Sequence, residues 1–279
     1  RAKSYGRSMA DVTRALIPCG GRGTRMTSLT HGRAKEIMPI AGVPLLVRVL
    51  GECADSGIDE VLVVGSPEKR DVLDIARTAA GQEGMPSRIE TAIQPQPRGL
   101  ADAIRLGREF ANGESLGVAL PDNLFVADVP ALLQVIQTSE ATSKSVVAMV
   151  ELFPADAERA GPTAIYPGRL TGDEFRIAAV PAKGARGKTF DLQGMPSGFT
   201  GVGRYVFLPE VFGVIDEVEK TLEHGAELDD VPVLARLLER GRLTGRRIVG
   251  DFLDVGLPQG YTDANERLAG ADQQPRFAR

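Results

Sequence analysis

Between residues 15 and 120, short apolar runs alternate with amphipathic stretches. Residues 15–19 (ALIPC), 61–64 (VLVV), 88–93 (RIETAI) and 116–120 (LGVAL) are bounded by glycine, proline or charge, which predicts strands. Between the first two, residues 44–56 place Leu45, Leu46, Val49, Leu50 and Cys53 on one helical stripe, with Pro44 at the start and Gly57 at the stop. Residues 68–79 and 99–110 are predicted helices as well. A strand–helix–strand rhythm of this kind implies an α/β fold with a largely parallel sheet. Beyond Pro130 the rhythm loosens. It predicts a helix near 131–138, a strand at 145–151, extended pieces within 163–180, a strand at 201–207 and a helix at 230–240.

Composition narrows the class. With 279 residues and 43% hydrophobic content, the chain can bury a large core, and no linker or internal repeat divides it. The eight residues before Met9 are expected to be an expression remnant, residues 9–269 one domain, and residues 270–279 a flexible tail. No apolar run approaches the roughly 18 residues of a membrane span. A formal charge of −4, with basic and acidic residues interspersed, argues against a nucleic-acid surface and for small-molecule partners. Cys19 and Cys53 are too few for a disulfide framework or a zinc site, and both are expected to be reduced and buried. No secretory leader is visible, so a cytoplasmic location is the expectation.

The chemistry concentrates at CGGRGTRM, residues 19–26, followed by AKEIMP, residues 34–39. Gly20, Gly21, Arg22, Gly23 and Thr24 directly follow the first predicted strand. Such a loop lets backbone N–H groups turn toward phosphate oxygens, and Arg25 and Lys35 add positive charge beside it. The segment is neither a GxxxxGK[ST] loop nor a GxGxxG dinucleotide fingerprint, which also removes a nicotinamide oxidoreductase reading. Taken alone, GGxG is equally the signature of a tight strand-to-helix turn. Asp122 follows a strand and one proline, and Asp254, in FLDVG, follows Phe252-Leu253 and precedes a glycine. Each alone reads as a turn or cap residue. If they meet at the mouth of the sheet, however, two carboxylates plus substrate phosphates suffice for Mg²⁺. Gln94, at the start of QPQPRG, can donate and accept toward a base edge or simply be solvated. Asp102, Arg105 and Glu109 read as surface pairing on a helix face. His31 and His224 have no spacing that recommends them for chemistry.

GGxGTR, a gap of about ten residues, then KExxP resembles the sugar-1-phosphate nucleotidyltransferases. The likeness continues through GVPLL, QPQPRGLADAI, LPDNLF, ERAGP, FTGVGRYVF and FLDVG, in the family's order. The resemblance implies a Rossmann-like layered αβα fold with a mostly parallel mixed central sheet. It also implies Mg²⁺-assisted in-line attack of a sugar-1-phosphate or sugar-like phosphate on a nucleoside triphosphate, with UTP favoured, and a homo-oligomer. By the same likeness Arg25, Lys35 and Asp122 are catalytic, and Asp122 and Asp254 hold the metal. Gly20 to Arg25 with Gln94 and Gly99 bind nucleotide, and Gly161, Lys183 and Thr200 bind the sugar phosphate. The chain departs from the pattern on the sugar side: AAVPAKGA stands where relatives carry VEKP, and the asparagine before GRY is missing. An unusual acceptor such as a modified hexose, heptose or cyclitol phosphate is therefore expected. The alternative is a catalytically silent, nucleotide-binding regulatory relative.

Overall fold

The computed structural model describes residues 12–21, 23, 26–30, 32–156, 163–182, 190–223 and 225–269. The strands are β1 (Arg14–Pro18), β2 (Pro39–Ile40), β3 (Val43–Pro44), β4 (Glu60–Gly65), β5 (Arg88–Ile93), β6 (Leu116–Ala119) and β7 (Asn123–Val126). They continue with β8 (Ser145–Leu152), β9 (Gly168–Thr171), β10 (Glu174–Ile177), β11 (Gly198–Phe207), β12 (Leu243–Arg247) and β13 (Asp251–Asp254). Nine of them form one sheet in the order β5-β4-β1-β6-β11-β8-β12-β10-β9. The first four are mutually parallel, β11 runs antiparallel between β6 and β8, and β12 is again parallel to β8.

Strand alternation builds two cores. On β1, Ala15 and Ile17 face one apolar cluster and Leu16 faces the other. Helices α2 (Leu45–Asp55) and α3 (Arg70–Ala79), after a short α1 (Thr27–Thr30), cover the first face. Their stripes, Leu45, Leu46, Val49 and Leu50 on α2 and Val72, Leu73 and Ala76 on α3, are all buried. Helix α4 (Leu100–Arg105) and the helices Val211–Thr221 and Asp230–Glu239 cover the second. The result is the layered, mostly parallel mixed α/β fold that the pattern implies.

Two departures have local causes. The helix expected over 99–110 is broken into α4 and a one-turn α5 (Arg108–Ala111). Gly107 sits at the break, where a Cβ would lie 2.8 Å from Leu16 Cδ1 and 3.3 Å from Leu116 Cδ2. The chain seats itself against the sheet there rather than continuing a straight helix. Secondly, β7 and β13 pair with each other outside the main sheet. Each has only four residues, too few for a period-two signal to stand out. The strand β12 and the helices Val211–Thr221 and Pro258–Ala269 likewise extend the predicted set, while α6 (Ala131–Thr142) and β11 run longer than expected. The proposed remnant and tail lie outside the described residues.

Candidate active site

The parallel strands β1, β4, β5 and β6 end along one edge, and in open α/β sheets ligands are met beyond such carboxyl ends. Gly20, Gln94 and Asp122 stand there, just past β1, β5 and β6. Gly23 adopts a φ of +62°, in the left-handed region that glycine tolerates, and directs the loop back so that Met26 N–H donates to its carbonyl. Gly21 is exposed. Arg22, Thr24 and Arg25 lie outside the described residues, as do Gly161, Lys183, His31 and His224.

Asp122 and Asp254 are brought together by the small β7–β13 ladder. Asp254 pairs across it with Asn123, and Val255 N–H donates to the Asp122 carbonyl at 2.9 Å. Gly256 then turns beneath both side chains. A Cβ on it would lie 2.9 Å from Asp122 Oδ2 and 3.0 Å from Asp254 Oδ1, so the two carboxylates converge on one point that a glycine leaves open. Gly256 N–H donates to Asp254 Oδ1 at 3.0 Å and fixes that side chain. Gly260 lets the chain close behind it, since a Cβ there would stand 1.9 Å from the Asp254 carbonyl oxygen. Two hard oxygen donors over an open space match what a hydrated divalent cation takes when substrate phosphates complete its shell.

Lys35 completes the group. It opens a short 3₁₀ turn, Lys35–Ile37, and its Nζ lies 2.5 Å from Asp122 Oδ2 with both side chains mostly buried. Its aliphatic stem runs past Gly23, whose Cβ position is 3.8 Å from the Lys35 Cγ and Cδ atoms. The lysine therefore reaches Asp122 along the glycine-rich loop itself.

Three contributors escape a reading of the sequence alone. Lys69, at the start of α3, donates to the carbonyls of Cys19 (2.8 Å) and Gly21 (2.6 Å) and to both oxygens of buried Glu36. It ties the glycine-rich loop to the turn that carries Lys35. Arg204 is fully buried at a bulge in β11. It donates to Glu52 through both Nε and Nη2 and to the carbonyls of Leu120 and Asn123, which flank Asp122. Asp102, expected on a surface face with Arg105 and Glu109, is instead buried and accepts from Gln94 at 2.8 Å. Its charge is matched by Arg105 at 2.6 Å, so the pairing with Arg105 holds but lies beneath the surface. The roles of Lys69 and Arg204 join positions far apart in the chain, and the burial of Asp102 follows from packing, neither of which local spacing signals.

Gly99 has a φ of +114°, and a Cβ would fall 2.4 Å from the Leu228 carbonyl oxygen, so only glycine fits this crossing. Thr200 lies near the start of β11, four residues before its first pairing with β6 and so at the same edge. It is buried, with its hydroxyl 2.7 Å from that of Thr163. Burial, and secondarily Glu36, pushes the Cys19 thiol well above its ordinary range, so it is no nucleophile.

A Rossmann-like layered sheet with a glycine-rich loop and a carboxylate–lysine cluster defines a phosphate-handling α/β enzyme. Residues 14–270 match the nucleotidyl transferase family, and the chain belongs to it and is a nucleotidyltransferase. Two Bacillus subtilis (strain 168) proteins are similar over nearly the whole chain. One is 29% identical over 267 residues, covering 90% of this chain and 94% of that protein. The other, named UTP–glucose-1-phosphate uridylyltransferase, is 26% identical over 286 residues, covering 96% and 94%. A crystal structure of UDP-glucose pyrophosphorylase complexed with UDP-glucose shares the fold, with a TM-score of 0.78 at 22% identity over 94% of this chain and all of that one. Among the described residues no helix is long and apolar enough to cross a membrane.

Proposed function

We propose that this enzyme joins the nucleotidyl group of a nucleoside triphosphate, UTP foremost, to a sugar-1-phosphate or sugar-like phosphate, releasing pyrophosphate. The observation that carries the reading is the convergence of Asp122 and Asp254 over Gly256 with Lys35 alongside. Two anions must meet for the reaction to proceed, and their repulsion is the obstacle. Catalysis then consists of positioning and charge neutralisation, with no protein nucleophile. Mg²⁺, held by the two aspartates when bound, would supply the Lewis acidity that offsets the phosphate charge. Lys35 neutralises charge at the α-phosphate, and Arg25 takes the β- and γ-phosphates as they depart. Gly20 to Thr24 cradle the phosphates, and Gln94 with Gly99 meets the base. The name of the Bacillus subtilis uridylyltransferase relative supports UTP.

On the acceptor side Gly161, Lys183 and Thr200 hold the sugar phosphate. Val180-Pro181-Ala182 contributes no carboxylate where the family pattern has one, which favours an acceptor other than glucose 1-phosphate, since discrimination among hydroxyl patterns needs paired polar groups. We take residues 9–269 as one catalytic domain of a cytoplasmic homo-oligomer, following the family resemblance. A matrix of nucleoside triphosphates against sugar phosphates with Mg²⁺, scored by released pyrophosphate, tests the reading. Release is expected with UTP and a non-glucose sugar phosphate. Preference for glucose 1-phosphate overturns the acceptor assignment, and silence in every pair overturns the reaction.

A further inference from the structure

Gln94 sits immediately beyond β5, with its main-chain N–H donating to the Gly65 carbonyl at 2.8 Å. Its side chain is buried and its amide nitrogen is engaged twice, by Asp102 Oδ2 at 2.8 Å and by the Gly99 carbonyl at 3.2 Å. Both partners can only accept. A carbonyl has no proton to give, and Asp102 is ion-paired with Arg105 at 2.6 Å and, more distantly, with Arg98 at 4.0 Å. The primary amide has two hydrogens, and these two acceptors use both. Turning the amide over would set oxygen against two oxygens, so its orientation is fixed by chemistry. Oε1 consequently points away from Asp102 toward Gly20, where a Cβ would stand only 2.7 Å from it. Glycine at position 20 is what lets that oxygen lie against the phosphate loop.

We propose that Asp102 is a positioning residue for nucleobase choice. By engaging both hydrogens of Gln94 together with the Gly99 carbonyl, it leaves only a hydrogen-bond acceptor to meet the base. The site then takes bases with a ring N–H beside a carbonyl, as in uracil, thymine and guanine, over cytosine and adenine, whose corresponding ring nitrogen is itself an acceptor. Cytosine N3 or adenine N1 would face Oε1 acceptor to acceptor. Shifting to use the exocyclic amino group instead leaves that ring nitrogen unpaired in a dry site. The inference rests on the reading of Gln94 as the base contact and deepens it.

Calorimetric titration with UTP, CTP, GTP and ATP, without sugar phosphate, tests it on the wild-type protein, Asp102→Asn and Glu219→Gln. The wild type is expected to bind UTP at least about tenfold more tightly than CTP, and the same sense holds for GTP over ATP in a pocket that admits purines. In Asp102→Asn the new amide can donate to Gln94 Oε1, so the glutamine turns over and the UTP-to-CTP affinity ratio drops by about tenfold. Glu219 pairs with Arg98 and Arg105 but does not touch Gln94, so Glu219→Gln is expected to keep the ratio whatever it does to stability. Several results would overturn the proposal: equal wild-type affinity within a pair that binds, no binding of any triphosphate, a ratio unchanged in folded Asp102→Asn, or an equal loss in Glu219→Gln. Should Asp102→Asn fail to fold, N3-methyl-UTP on the wild type decides: weaker binding than UTP supports the acceptor at Gln94, and equal binding overturns it. Binding is read without turnover, so failure here leaves nucleotidyl transfer standing, and failure of transfer leaves the base ratio readable.

Discussion

Lys35 donates to an oxygen of Asp122 that also faces Gly256, so three charged groups share a space that only a glycine keeps open. Removing the ammonium by Lys35→Ala is expected to lower kcat by about a hundredfold or more, the usual cost of a preorganised electrostatic contact. The side chain belongs to neither apolar core, but its loss strands the mostly buried Asp122, so the variant should remain folded with a lowered melting temperature. Near-normal pyrophosphate release would remove Lys35 from the chemistry. Gly256→Ala is the complementary change. Its methyl would press on both carboxylates, so the divalent ion needed for half-maximal activity should rise steeply while the enzyme remains folded. Lys35, Asp122, Asp254 and Gln94 stood out as candidates because each lies in a short motif, the last three at or next to a strand end. Lys69, Glu36 and Gly256 did not, because their meaning lies in partners 33 or more residues away or in a clearance that exists only once the chain has folded; Asp102 has near partners, but its burial against Gln94 depends on the packed sheet.

The bulge in β11 acts at the scale of elements. Gly203, where a Cβ would lie 2.4 Å from Leu120 Cβ, lets the strand buckle, and the buckle swings Arg204 inward onto Glu52 of α2. From there the guanidinium holds the carbonyls on either side of Asp122 and lies 5.0 Å from the centre of the Phe125 ring. Arg204→Ala strands Glu52 as an uncompensated partly buried charge, and urea unfolding is expected to show a loss of about 3–5 kcal/mol. A loss within measurement error would show that this brace is dispensable. The strands β1, β4, β5 and β6 and the helices α2 and α3 were legible because each carries its apolar pattern over four or more residues, whereas β2, β3 and α1 are too short to show one. The break at Gly107 and the β7–β13 ladder were hidden. The first depends on the room left by Leu16 and Leu116, and the second on two four-residue pieces more than a hundred positions apart.

Among the described residues the main sheet is an open one of nine strands with helices on both faces, and the two cysteines of the sequence are free and fully buried. Burial, with a smaller contribution from Glu52, pushes the Cys53 thiol up to about 12, and burial raises Cys19 in the same direction. Since only the thiolate reacts, raising the pH from 7 to 9 should leave the folded protein slow toward a thiol reagent, with two thiols titrating once it is denatured. Prompt reaction of one thiol in the native protein would show that the loop after β1 opens far more than the Lys69 tether suggests. At this scale the layered α/β architecture was legible from the alternation of elements, and the family from motifs strung along the chain. The joining of Asp122 to Asp254 was expected only through the family resemblance, because the ladder that makes it is a product of topology. That joining is also the central claim. Its most direct measurement is the Mg²⁺ dependence of pyrophosphate release by the wild type and by Asp254→Asn at saturating substrates. The account predicts that the variant needs at least about tenfold more Mg²⁺ for half-maximal rate and reaches a lower maximum. Superimposable Mg²⁺ curves for the two proteins would contradict it.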